Sequence, residues 1–189
     1  MGRPKALLHL GGVTFVERIA RSIRAAAIEH AMIAVSHDDP NIMKICKLYD
    51  IEPVYNTATP TAVPLGSIQA AVTVIINRKV ELLFVWPVDQ PHILPDTPAS
   101  LASAFLRYDK PIIVPTFEGR RGHPVIFGRA VFQEILDAPA SEGARAVVRA
   151  DRDRVVEVPV PDRAILEDID TPEAYQDLIR RYDSGSLPL

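Results

Sequence analysis

The chain has one cysteine, Cys46, so it can form no internal disulfide and hold no thiolate-bound metal cluster. That residue lies in the helical-looking stretch IMKICKLYDI, where it reads as a small core hydrophobe. The absence of disulfides makes a reducing cytoplasm the expected compartment. Long apolar runs are also missing. The longest, LLFVWPV, is strand-length, far short of the roughly 20 residues that cross a bilayer. The opening residues lack the apolar stretch of a secretory signal, so no membrane partner is expected. Positive charge is not in excess: 21 Lys and Arg against 24 Asp and Glu leave a formal net charge of −3. This excludes a broad electrostatic grip on nucleic acid, though a few local cations still suffice for a small phosphorylated ligand. The sequence has no Gly-x-Ser-x-Gly elbow, no Cys-x-x-Cys, no zinc-spaced histidine pair and no Gly-x-x-x-x-Gly-Lys-Ser/Thr loop.

Proline is abundant, with 17 residues in 189, and clusters at segment edges such as DDP, IEP, WPVDQP and YDKP, where it marks turns. Between these breaks the pattern alternates. TFVERIARSIRAAAIEH carries Phe15, Val16, Ile19, Ile23 and Ala27 on one face and predicts an amphipathic helix. AMIAVS, EPVYN, KPIIVPT, VIFG and RVVEVPV read as strands, and VELLFVWPV as a strand buried on both faces. Helices are expected in DDPNIMKICKLYD (capped by Asp38 or Asp39), GSIQAAVTVIINR, PASLASAFLRY, RAVFQEILD, EGARAVVRAD and DIDTPEAYQDLIRRY. Such alternation predicts one three-layer α/β domain over residues 1–189, with a mainly parallel sheet.

Ligands of these sheets lie beyond the carboxyl ends of the strands, which singles out residues 1–12, 56–67, 87–92, 116–123 and 167–171. Asp89 ends the most apolar strand between two prolines, as either a divalent-cation ligand or a carboxylate closing its own turn. Asp168 and Asp170 form a second acidic point, where Asp170 with Glu173 also has capping-box spacing. Lys5, flanked by Gly2 and by Gly11–Gly12, is either a triphosphate partner or a surface lysine. Arg120, Arg121 and His123 in GRRGHP form either a solvated tip or a docking patch for an anionic second substrate. Ser67 and Gln69 open a predicted helix whose free N–H groups could receive a base or phosphate.

Taken in order, MGRPKALLHLGGVTFVERI, VDQP, RRGHPVIFGRAVFQEIL, GARAVVRAD and DIDTPEAY resemble the MobA-like nucleotidyltransferases, most closely the molybdenum cofactor cytidylyltransferase group. The resemblance implies a Rossmann-like fold and a magnesium-dependent transfer of NMP from an NTP, with CTP ahead of GTP, to a phosphate acceptor such as molybdopterin. It also implies a molybdoenzyme as a further partner. It assigns Lys5, with Gly2, Arg3, Asn56 and Ser67, to the nucleotide; Asp89 and Asp170 to the metal; Lys5 and Asp89 to catalysis; Arg121 and His123 to the acceptor. Three departures stand out. The family's first strand and glycine-rich loop, which precede Met-Gly-x-Pro-Lys, are missing. Met1 is therefore expected to be an internal methionine of a longer frame, with feeble turnover and a central gap in the sheet if the chain starts there. Val63, Pro64 and Gly66 break the loop pattern around Asn56 and Ser67, and Val88 replaces a glycine. A sugar-phosphate nucleotidyltransferase and a non-catalytic nucleotide- or partner-binding domain are the competing readings.

Overall fold

The computed structural model describes residues 4–56 and 63–187. A 3-10 turn at Lys5–Leu7 leads into a short hairpin, β1 (His9–Leu10) and β2 (Val13–Thr14). Gly11 and Gly12 form its tip with φ of 61° and 79°, a region open to glycine at little cost, so this pair closes a turn. Helix α1 (Phe15–Ala25) begins with a capping box: Thr14 Oγ1 accepts from Glu17 N, and Glu17 accepts from Thr14 N. There follow β3 (Ala31–Val35), α2 (Pro40–Tyr49), β4 (Ile51–Tyr55) and α3 (Val63–Ile75). Asp39 caps α2, with Pro40 in its first turn. The second half comprises β5 (Leu82–Val85), α4 (Asp96–Arg107), β6 (Ile112–Phe117), β7 (Arg120–Arg121), β8 (Val125–Gly128), α5 (Phe132–Asp137), α6 (Arg145–Ala150), β9 (Val155–Pro159) and α7 (Pro172–Asp183).

The expected parallel pairing is present in β3–β4 and β6–β9. Between β5 and β6, however, lies β8, antiparallel to both, so the sheet is mixed. The cause is the short β7, which turns the chain back on the end of β6 and delivers β8 to the same edge. Period-two alternation builds the three layers. Leu83, Val85, Ile112, Val114, Val125, Phe127 and Val155 face α3 and α5, while Leu82, Phe84, Ile113, Ile126, Val156 and Val158 face α4. Among the described residues no ladder joins β3 to β5, and no strand is shifted between them. Edge position explains why the apolar LLFV of β5, expected to be fully buried, is only half-buried throughout.

Two smaller clusters complete the core. Ala6, Val16, Ala20, Val35, Ile42, Ile45, Cys46 and Ile51 fix the Lys5–Leu7 turn against α1 and α2. Cys46 is buried there, and desolvation pushes its thiol pKa up, the environment of an inert core residue. Leu8, Leu10, Phe15, Ile169 and Leu178 join the hairpin to α7. Phe15 is fully buried and meets Tyr175 edge-on at 5.9 Å between ring centroids. Phe15→Ala should therefore cost about 3–5 kcal/mol in urea unfolding, and a loss under about 1 kcal/mol would contradict this packing.

Candidate functional site

Three segments converge at one edge of the sheet. Lys5 projects from its 3-10 turn, whose backbone is held by the burial of Ala6. Asp89 sits in the turn after β5, closed by Gln90 N donating to Pro87 O and Trp86 Nε1 donating to Gln90 O. Asp170 lies just before α7. Lys5 Nζ donates to Asp89 Oδ2 at 3.0 Å and to Asp170 Oδ1, so partners 84 and 165 residues away share one ammonium. The spacing of DIDTPEAY left Asp170 open as the helix cap. The N-cap is instead its neighbour Thr171, whose hydroxyl accepts from Ala174 N, and this leaves the Asp170 carboxylate to Lys5.

Electrostatics follow the geometry. Burial by itself would lower the Lys5 pKa, but hydrogen bonds to Asp170 and Asp89, with their charges, outweigh it and raise the ammonium above its ordinary value. The bond from Lys5 holds the Asp170 carboxyl below the usual carboxylate range, against a smaller opposing effect of burial. Asp89 is the more enclosed acid, and its Oδ1 is buried with no hydrogen-bond partner among the described residues.

Residues 162–170 are fastened to residues 89–97 by a ladder of polar contacts. Ile169 N donates to Asp89 O at 3.0 Å. Gln90 Nε2 donates to Asp168 Oδ1 at 2.7 Å and to Ile165 O at 3.3 Å. His92 Nε2 meets Glu167 Oε2 at 3.1 Å, and Leu94 N and Thr97 Oγ1 both donate to Asp162 Oδ2. Glu167 is further gripped by Arg181 and Arg163. Burial opposes ionisation of Glu167, but the bonds from Arg181 and His92 prevail and lower its pKa. Burial lowers the pKa of His92 despite Glu167, so its imidazole is neutral near pH 7 and Nε2 carries the proton it donates. No pattern in the sequence assigns a role to Gln90, His92, Asp162, Glu167 or Arg181. The signal for the first four was the density of polar residues in DQPHILPDT and PDRAILEDID, and Arg181 stood as one of several charges on the amphipathic closing helix.

The Gly-His-Pro loop is tied to the same ladder. Ile165 O accepts from His123 N as well as from Gln90 Nε2. A Cβ on Gly122 would stand 2.2 Å from Ile165 O, so only glycine allows this approach. Burial lowers the His123 pKa, against the charges of Asp168 and Asp89 and with that of Arg145. Arg121 is drawn elsewhere: on β7 it is exposed and donates to Glu157 at 2.7 Å. Asn56 Nδ2 donates to Ser67 Oγ at 3.0 Å. Ser67 and Gln69 do not open a helix, because α3 begins by Val63 with Pro64 tolerated in its first turn. Gln69 instead donates to the carbonyls of Ile135, Leu136 and Ala138, closing the end of α5. Val88 packs with the cluster around Ala6 and Val35. Gly2 and Arg3 lie outside the described residues. Among the described residues no group of three or more His, Cys, Asp or Glu could hold a metal by itself. No helix there is long and apolar enough to cross a membrane.

A family model described as the MobA-like NTP transferase domain matches residues 1–155. A Carboxydothermus hydrogenoformans protein named "Probable molybdenum cofactor guanylyltransferase" is 29% identical over 120 residues, 64% of this chain and 54% of that protein. The chain thus spans about half the length of this curated relative. Among solved structures, the homolog of Mycobacterium tuberculosis Rv0371c from Mycobacterium sp. strain JC1 superposes with a TM-score of 0.80 at 22% identity, covering 98% of this chain and 91% of the other. Rv0371c of M. tuberculosis in complex with manganese gives 0.76 at 22% identity, over 94% and 91%. At these identities the likeness shows the fold, a three-layer Rossmann-like nucleotidyltransferase architecture.

The buried imidazoles set a pH dependence. Burial sets the pKa of folded His92 and His123 below that of the unfolded imidazoles, which take up protons near about pH 6.5, so the unfolded state binds more protons and stability falls as pH drops through that value. Urea unfolding at pH 7.5, 6.5 and 5.5 should show this decline, with a flatter profile in the His92→Gln/His123→Gln double variant. An equal slope in both proteins would contradict it.

Proposed function

The chain belongs to the MobA-like NTP transferase family, and on that premise we propose that Lys5, Asp89 and Asp170 form the centre of a magnesium-dependent nucleotidyltransferase. It transfers NMP from an NTP to a phosphate of a small acceptor, with molybdopterin first among acceptors, and releases pyrophosphate. The observation that carries this reading is the convergence of two carboxylates from distant loops on a single cation.

Magnesium suits this pair, since it binds through one or two carboxylates and completes its shell with water and substrate phosphates. The unsatisfied Asp89 Oδ1 is an acceptor available to such an ion. When bound, the ion supplies positive charge to the oxygens of the transferring phosphoryl group. Asp89 and Asp170 hold and orient it, and Lys5 adds a second positive charge. At an effective dielectric near 20, a cation about 4 Å from that charge contributes on the order of 4 kcal/mol. An acceptor phosphate oxygen attacks the α-phosphorus, and the bond to pyrophosphate breaks with its electron pair leaving on pyrophosphate. The protein's task is alignment and charge neutralisation. Asn56 and Ser67 serve the nucleotide. Neutral His123, held by Ile165 O, faces the acceptor, and Arg121 joins it after releasing Glu157. The setting is the cytoplasm, with a molybdoenzyme receiving the product.

The resemblance puts CTP ahead of GTP while the curated relative is named "Probable molybdenum cofactor guanylyltransferase", so the test runs both bases. Protein expressed from the longer frame, supplying the strand and glycine-rich loop before Met1, should release pyrophosphate with CTP or GTP only when acceptor (molybdopterin or a sugar phosphate) and divalent cation are present. Asp89→Asn should cut that release at least about a hundredfold. Nucleotide binding without release in every pairing would support the non-catalytic reading instead.

A further inference from the structure

We infer that the Lys5 ammonium occupies the seat of the divalent cation and yields it when the cation arrives with a triphosphate. This rests on reading Asp89 and Asp170 as the metal ligands. Lys5 Nζ already bonds one oxygen of each carboxylate. An ion coordinated by those oxygens at about 2.0–2.1 Å would stand within a few ångströms of the ammonium, with like charge and shared ligands. The two cations therefore exclude each other.

The geometry lets the lysine leave without unfolding the site. Ala6 anchors the turn in the core, whereas the Lys5 side chain is 33% exposed on a flexible four-carbon stem. Asp170 is 58% exposed and open to an arriving ion. The Asp89 Oδ1 that Lys5 leaves unbonded is buried, so an ion seated there would supply the partner it lacks. The ammonium neutralises only one of the two carboxylate charges, and this keeps the pair together until the metal arrives. Free divalent cation must then displace Lys5 with no compensation. Cation carried by a triphosphate brings phosphate oxygens that take up the released ammonium. Removing the lysine should consequently shift the two affinities in opposite directions.

The test measures Mn2+ binding by electron paramagnetic resonance, with Mn2+ alone and with Mn2+ plus CTP, for wild type, Lys5→Gln and Asp89→Asn. Lys5→Gln should bind free Mn2+ about tenfold more tightly than wild type and Mn2+–CTP more weakly. Free Mn2+ binding no tighter in Lys5→Gln, with Asp89→Asn still abolishing it, would overturn the exchange and leave the metal site standing. Absence of Mn2+ binding in wild type and Lys5→Gln alike would overturn both. Should Lys5→Gln fold poorly, wild-type protein answers alone through amine acetylation read by mass spectrometry. Lys5 should become more reactive on adding Mg2+ and be protected again by Mg2+–CTP, with Lys44, Lys47, Lys79 and Lys110 as internal standards. A Lys5 rate unchanged at Mg2+ concentrations that saturate the site would overturn the proposal.

Discussion

The contacts between residues 89–97 and 162–170 are the constraint on which the site depends. Asp89 and Asp170 reach one lysine only because the loops that carry them are joined rung by rung. Ile169 N meets Asp89 O, Gln90 meets Asp168, His92 meets Glu167, and Leu94 and Thr97 meet Asp162. These bonds are buried or part-buried, and breaking one that is fully buried strands a polar group away from water at about 1–3 kcal/mol. The loops are thereby as well fixed as an element of regular structure. The Gly-His-Pro loop joins the same frame through Ile165 O.

The ionic cluster above this frame is of a different kind. Lys5 and Asp170 are a third and more than half exposed, and ion pairs in such positions contribute about 0–1 kcal/mol. So small a return does not account for two carboxylates held together around one cation. The proposed role as metal ligands would account for it, because a site that binds and releases a doubly charged ion needs ligands that are oriented but not deeply committed. The stability of this region resides in Phe15, Ile169 and Leu178 beneath it, which hold the hairpin and α7 together.

Much of this was legible in the sequence. The layers follow from period-two apolar strands and amphipathic helices, and the Asp39 cap from a local pattern. Lys5 and Asp89 stood out as loop charges, whereas Asp170 was equally readable as a helix cap. The rest was hidden for physical reasons. Gln90 and His92 take their meaning from partners 75 to 78 residues away, and a lone polar residue in a turn carries no periodicity to reveal them. The choice between Asp170 and Thr171 as cap is settled by side-chain direction, which spacing does not encode. Antiparallel β8 followed from the return at β7, a two-residue strand with no hydrophobic signature.

On the proposed reading, Asp89 and Asp170 together would hold one divalent ion against a nucleoside triphosphate. Anomalous diffraction at the manganese edge, from crystals grown with Mn2+ and a non-hydrolysable CTP analogue, tests it most directly. One peak bonded to carboxylate oxygens of both residues is expected, with Lys5 Nζ moved onto a phosphate oxygen. A peak bonded to neither carboxylate, or none while Lys5 still bridges the two acids beside bound nucleotide, would contradict it.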